Sequence, residues 1–205
     1  MRAPVKLYFA SSNPGKLGEF RALAEGYASG EHAPVSVELL PRFELLPAFE
    51  ENAPTFGENA LGKALYYSQL SDEILFADDS GLAVDALGGA PGVHSARYAG
   101  PRATSAQRIA KLLDELRGKA EAERAAYFCC VIAVIRKGLP VAIVSNRVDG
   151  VILEASRGSG GFGYDPVFYL PTLRKSFAEL SATKKNQYSH RGKAFRRVLA
   201  LLDTF

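Results

Sequence analysis

An α/β fold with a mixed central sheet and flanking helices is the architecture this sequence predicts. Three observations lead there. Short apolar runs of strand length alternate with stretches whose apolar residues recur every three to four positions. Capping-box pairs, Thr55 with Glu58 and Thr104 with Gln107, mark helix starts between those runs. The alternation breaks once, where two adjacent runs meet at Lys137-Gly138. That reads as a hairpin, which brings antiparallel pairing into the sheet.

Element by element, Val5 to Ala10 is a buried first strand and Ser11 to Gly15 a loop. A helix follows from about Pro14 to Tyr27, with Leu17, Phe20, Leu23, Ala24 and Tyr27 on one face. Val35 to Leu40 is a second strand. The helix capped at Thr55 runs to about Leu70. Ile74 to Ala77 is a short buried strand, and a turn at Ser80-Gly81 leads to another near Leu82 to Leu87. After Thr104, a helix places Ile109, Leu112, Leu113 and Leu116 on one stripe, and Gly118 closes it. Ala125 to Ile135 and Val141 to Val148 form the hairpin, and Gly150 to Ala155 adds a strand. A glycine-rich loop, Gly158 to Gly163, precedes a strand at Val167 to Leu170. The last helix starts at about Ser189 and buries Phe195, Val198, Leu199 and Leu202.

The 205 residues suffice for a single domain, 1–205, with a sizeable core. Hydrophobic residues at 47% against 23% charged exclude a disordered chain. The longest uncharged apolar run, Ala125 to Ile135, is well short of the roughly 20 residues of a membrane helix. Met1 to Ala10 carries no apolar stretch of signal-peptide length. Cys129 and Cys130 are adjacent, so a strand would point them to opposite faces, and two buried reduced thiols are expected. A cytoplasmic protein without membrane partners is the reading.

The net charge of +3 is uneven. From Arg174 to Arg197 there are eight basic residues against the single acid Glu179, a net +7 that leaves −4 elsewhere. Either a polyanion binds near this segment or it is a solvated basic helix face.

Two motifs invite a nucleotide-fold reading and fail. Gly57 to Ala64 matches the start of a P-loop, but Ala64 stands where Ser or Thr would hold Mg²⁺, and the glycines lie in a capped helix. Gly158 to Gly163 satisfies G-x-G-x-x-G, but Tyr164-Asp165-Pro166 follows, and Pro166 turns Asp165 away from helical geometry. What survives is a loop whose backbone can approach a ligand closely.

Four segments carry chemistry. Ser11-Ser12-Asn13-Pro14-Gly15-Lys16 leads from a buried strand into a helix N-terminus, an anion site with Lys16 beside it, or else a plainly capped helix. Asp78-Asp79-Ser80-Gly81 ends a buried strand with two carboxylates, one facing the site, as suits Mg²⁺; the alternative is an Asx turn. Either Glu50 or Glu51 is a candidate second carboxylate or a surface acid. Lys63 shares a helix face with Asn59 and either reaches a phosphate or is solvated. In Lys184-Lys185-Asn186-Gln187-Tyr188-Ser189-His190-Arg191, cations occupy the first helical turn, against the dipole. A bound anion would relieve that conflict. His32 and His94 read as structural.

Five blocks in order extend this. They are Ser11 to Lys16, Glu51 with Thr55 to Ala64, Ala77 to Tyr98, Gly160 to Pro166, and Lys185 with Ser189 to Gly192. Together they resemble the inosine triphosphate pyrophosphatase family, the non-canonical purine nucleotide pyrophosphatases. The resemblance spans residues 5 to 202. Ser11 departs from the family's usual Thr but keeps the hydroxyl. The resemblance implies two lobes around a nucleotide cleft, a homodimer, and Mg²⁺-dependent cleavage of ITP, dITP and XTP to monophosphate and pyrophosphate in nucleotide-pool sanitation. It implies that Ser11, Ser12, Asn13, Pro14, Gly15, Lys16 and Lys63 hold the phosphates. Asp79 would be the catalytic carboxylate, sharing Mg²⁺ with Glu51. Ser80, Phe162, Gly163, Tyr164, Asp165, Lys185, His190 and Arg191 would line the nucleotide site.

Two rivals remain. One is a pyrophosphatase of modified pyrimidine nucleotides. The other is a nucleic-acid-binding protein using the basic segment. Aromatics there are sparse and Phe195 belongs to a core face, so no stacking platform is expected and nucleic acid is not a predicted partner.

Overall fold

A computed structural model describes residues 4–27 and 33–202. The strands are β1 (Val5–Phe9), β2 (Val35–Leu39), β3 (Ile74–Val84), β4 (Ala125–Arg136), β5 (Leu139–Ile152), β6 (Phe168–Leu170) and β7 (Lys175–Ser176). The helices are α1 (Pro14–Tyr27), α2 (Phe56–Ser68), α3 (Ser105–Glu115), α4 (Ala182–Tyr188) and α5 (His190–Leu202). The strands form one seven-stranded sheet in the order β2-β1-β3-β4-β5-β6-β7. β1 runs parallel to β2 and β3, and β6 antiparallel to β5 and β7, so the sheet is mixed as expected. No helix among the described residues is long and apolar enough to cross a membrane. His32 lies outside the described residues.

The chain divides into two compact units. The first holds residues 1–79, 130–146 and 191–205, the second 80–129 and 147–190. In the first, β1, β2 and the helices α1 and α5 bury Leu7, Val37, Phe76, Val198 and Leu199. Four rings organise that core: Phe20 lies 4.9 Å from Phe9, 5.1 Å from Phe76 and 4.8 Å from Phe195. The second unit has its own core of Leu82, Leu112, Leu116, Phe128, Phe168 and Phe177.

Local chemistry sets the helix starts. Thr55 accepts the Glu58 N–H to begin α2, and Thr104 and Gln107 close a full capping box at α3. The β4–β5 hairpin turns through Lys137 at φ 49° and Gly138 at φ 73°, the paired positive φ of a two-residue hairpin loop.

Several expectations need correction. No turn forms at Ser80-Gly81. β3 passes straight through, because nearly every residue from Leu75 to Val84 is buried and its backbone needs a ladder more than it needs the local turn preference. Residues Asp85–Leu87 form a 3-10 turn instead of strand. The two strands expected at 141–148 and 150–155 are one, β5. Helix α4 was not expected. Its sequence, ATKKNQY, shows no apolar period, and its buried residues are Lys185 and Asn186. Both cysteines are free, but only Cys130 is buried; Cys129 is half-buried.

Candidate active site

In the first unit, the loop after β1 caps α1 by its own side chains. Asn13 Oδ1 accepts the Lys16 N–H at 3.1 Å, and Ser11 Oγ accepts the Asn13 N–H at 3.2 Å. The N-cap is therefore Asn13. Ser12 and Pro14 are exposed at this helix start, and Gly15 is half-buried. Lys16 reaches back to the sheet, where its Nζ meets both Asp78 oxygens, at 3.1 and 2.9 Å.

The two carboxylates of β3 have different partners. Asp78 is fully buried. Besides Lys16 it faces Arg191 Nε at 3.7 Å, and Cys130 Sγ lies 4.0 Å away. Burial alone pushes its pKa up, but Lys16, Arg191 and Lys63 outweigh burial and hold it below the ordinary carboxylate value. Asp79 accepts a 3.0 Å hydrogen bond from Asn59 Nδ2. Burial, and then the negative charge of Glu51, raise its pKa to about 6; Lys16 and Lys63 offset this only in part. A carboxylate poised near neutrality in the middle of β3 is suited to proton transfer.

Lys63 is 7% exposed on α2. It donates to the Asp78 carbonyl at 2.7 Å and pairs with Glu51. Burial pushes its pKa down, yet Asp78, Glu51 and Asp79 together raise it above the ordinary lysine value, so it is a cation. Of the two acids before α2, Glu51 is the one that enters; Glu50 instead accepts a hydrogen bond from Asn52. Arg191 pairs with Glu19 of α1. Glu19 and Asp78 thus relieve the cationic start of α5 without a bound anion, a solution the sequence alone did not suggest.

The second unit assembles another set. Phe162 N–H donates to Asp165 Oδ2 at 2.8 Å, and Lys185 caps the same carboxylate. The Lys185 ammonium also lies 4.6 Å from the Phe162 ring centroid and 5.8 Å from that of Phe177. Phe128 stacks on Phe177 and, at 4.7 Å and 9°, on His190. Tyr164 is buried and its hydroxyl donates to the Ser95 carbonyl at 3.0 Å. The glycines serve this loop's own folding. A Cβ at Gly158 would meet the Ala178 backbone at 2.5 Å, and one at Gly161 the Asp165 carboxylate at 2.0 Å. The close approach expected for a ligand is here made by the chain itself. Among the described residues the N–H groups of Gly163 and Tyr164 engage no hydrogen bond. Ser80 begins this unit, half-buried beside Asp79 in sequence.

The basic segment does not form one surface. Lys185 and Arg191 are buried in ion pairs, and the remainder is shared between the two units.

The model of the Ham1 family matches residues 7–201, nearly the whole chain. The chain belongs to the Ham1 family. Among its relatives, the dITP/XTP pyrophosphatase of Geobacillus kaustophilus is 49% identical over 193 residues, covering 94% of this chain and 92% of the relative. That of Gloeobacter violaceus is 46% identical, covering 95% and 92%. The solved HAM1 protein from Coxiella burnetii superposes with a TM-score of 0.84 at 38% identity, over 98% of this chain and all of that one. The Staphylococcus aureus Ham1 protein gives 0.81 at 37%, over 97% and 98%. The family read from the five sequence blocks is therefore the right one, and with it the α/β fold.

Within this Ham1 chain, several site residues escaped sequence reasoning. The sequence expects one carboxylate of the pair to face the site and assigns Asp78 no role, yet Asp78 collects three cations. Glu19 had only its spacing of three from Lys16 to suggest it. Asn59 had its shared helix face with Lys63 as a signal.

Proposed function

We propose that this chain hydrolyses non-canonical purine nucleoside triphosphates, ITP, dITP and XTP, to the monophosphate and pyrophosphate, with Mg²⁺ as cofactor. It does so in the cytoplasm, as a homodimer, with residues 1–205 acting as a single pyrophosphatase domain. The observation that carries this reading is the buried cluster on β3, α1 and α2: cationic Lys63 of α2, and Lys16 of α1, around Asp79, whose pKa is raised to about 6. The names and identities of the relatives support the substrate class.

The donor set suits Mg²⁺. Glu51 and Asp79 offer hard oxygens close enough for Glu51 to raise the Asp79 pKa. Among the described residues no three acidic, His or Cys side chains gather as a metal site, so water and substrate phosphate would complete the shell. Glu51 and Asp79 would hold the ion, which when bound offsets charge on the phosphate oxygens. Lys16, Lys63 and the N–H groups of Ser11, Ser12 and Gly15 at the start of α1 orient the triphosphate and stabilise the departing pyrophosphate. Asp79 takes the proton from the attacking water.

Base selection falls to the second set. Phe162, Lys185 and His190 line the nucleotide together with Ser80 and Asp165. The N–H groups of Gly163 and Tyr164 are the donors for a 6-keto oxygen, since the Phe162 N–H is already spent on Asp165. ATP presents an amino group there, leaving donors unpaired at about 1–3 kcal/mol each. Pyrophosphate release from ITP, XTP, GTP and ATP at one pH and Mg²⁺ concentration tests the reading. We expect kcat/KM for ITP and XTP at least ~100-fold above ATP, with GTP also poor. Equal values for ITP and ATP would remove the keto-reading loop.

A further inference from the structure

Asn59 is buried on α2, one turn before Lys63. Its carboxamide is fully used. Oδ1 accepts the Ala53 N–H at 3.0 Å, while Nδ2 donates to the Ala53 carbonyl at 3.2 Å and to Asp79 Oδ2 at 3.0 Å. The Ala53 N–H can be met only by an oxygen, so the backbone itself fixes which end of the amide is the carbonyl. The amino end must then face Asp79. Turning the amide over would break all three bonds.

The segment that carries Glu51 is pinned at its other end as well. The Tyr67 hydroxyl donates to the Pro47 carbonyl at 3.0 Å and accepts the Phe49 N–H at 3.1 Å. The Phe49 ring lies against Gly62, where a Cβ would come within 2.8 Å of it. Residues 47–53 are thus fastened along α2 at Asn59, Gly62 and Tyr67. Glu51 lies between the fastenings and reaches Lys63. Asn59 joins this segment to Asp79.

We propose that Asn59 is a positioning residue for the hydrolysis, its one carboxamide fixing Asp79 and the Glu51-bearing segment relative to each other so that both carboxylates meet the same divalent ion. This rests on the reading of Glu51 and Asp79 as the pair that holds Mg²⁺. Side chains that orient metal-holding groups typically change affinity or activity about 10- to 100-fold when replaced.

Two substitutions separate positioning from mere packing. Asn59→Asp is isosteric and still accepts the Ala53 N–H, but sets an oxygen against the Ala53 carbonyl and Asp79. Asn59→Ser is too short to span both partners. Mn²⁺ binding to the nucleotide-free protein, followed by electron paramagnetic resonance, is the readout that does not depend on turnover. We expect Mn²⁺ affinity to fall at least about tenfold in both variants, kcat for ITP to fall about 10- to 100-fold, and KM for ITP to stay within about threefold. A variant with a cooperative melt that binds Mn²⁺ within about twofold of wild type overturns the proposal, whatever its melting temperature. If Asn59→Asp does not fold, Asn59→Ser decides alone. A wild type that binds Mn²⁺ but cleaves no nucleoside triphosphate removes the proposed function while the Mn²⁺ comparison still judges Asn59. A wild type that binds no Mn²⁺ removes both.

Discussion

At Asp79, the proposed catalytic role and stability pull in opposite directions. The folded chain protonates this carboxyl near pH 6, the unfolded chain only near its ordinary value of 3.8. Below 3.8 both states are neutral there. As pH rises from 3.8 to 6 the unfolded state ionises first, so folding stability falls, and above 6 the loss is complete at about 3 kcal/mol. Asp79→Asn keeps the shape, and its carbonyl can still accept the Asn59 hydrogen bond. We expect turnover to be abolished and the ligand-free variant to be more stable than wild type at pH 7.5 by on the order of 2–3 kcal/mol in urea unfolding. Near-normal activity at saturating Mg²⁺ would remove Asp79 from its role. Lys185 behaves differently. It and Asp165 are buried together, so Lys185→Ala leaves a carboxylate alone inside and is expected to cost about 3 kcal/mol as well as raising the KM for ITP more than it lowers kcat. Adding Asp165→Asn should recover much of the stability but not the KM; no recovery in urea melts would mean the pair is not what is lost. Asp79, Lys16 and Lys63 were legible as candidates in the sequence because a charge in an apolar strand, near a helix start or on a capped helix's face is a local signal. Asp78 was not, because its meaning depends on Lys16, 62 residues away.

Helices and strands with an apolar period were found close to their true bounds, and capped starts most closely. Thr104 heads a complete capping box on α3, whose buried face is Ile109 and Leu112 and which carries no proposed site residue. Thr104→Ala should therefore lower stability by about 1 kcal/mol and leave kcat unchanged. A change in kcat would tie α3 to the chemistry. Helix α4 shows the limit of periodicity. It is stabilised by a Ser181 cap and buries Lys185 and Asn186, so the hydrophobic stripe that announces most helices is missing. The straight run of β3 through Ser80-Gly81 shows the other limit, a local turn preference overruled by neighbours distant in sequence.

Across the whole molecule, each unit has its own apolar core, and Asp78 and Glu51 of the first unit already have cations. Folding therefore does not wait for metal. Exhaustive EDTA should stop turnover yet move the melting temperature of the nucleotide-free protein by less than about 2 °C, equivalent to at most about 0.5–1 kcal/mol at this size. A larger drop would make the metal part of the fold. The resident ion pairs also bear on the catalytic cycle. In the proposed reaction Lys16 and Lys63 would meet an incoming triphosphate with Asp78 and Glu51 already as partners, so capture would be an exchange of counterions, with only the difference left to favour binding. Once the anhydride is cut, the same carboxylates would compete for the two ammonium groups. Pyrophosphate, which two bare lysines would hold tightly, would then be displaced from within the protein, and added pyrophosphate is expected to be a weak inhibitor.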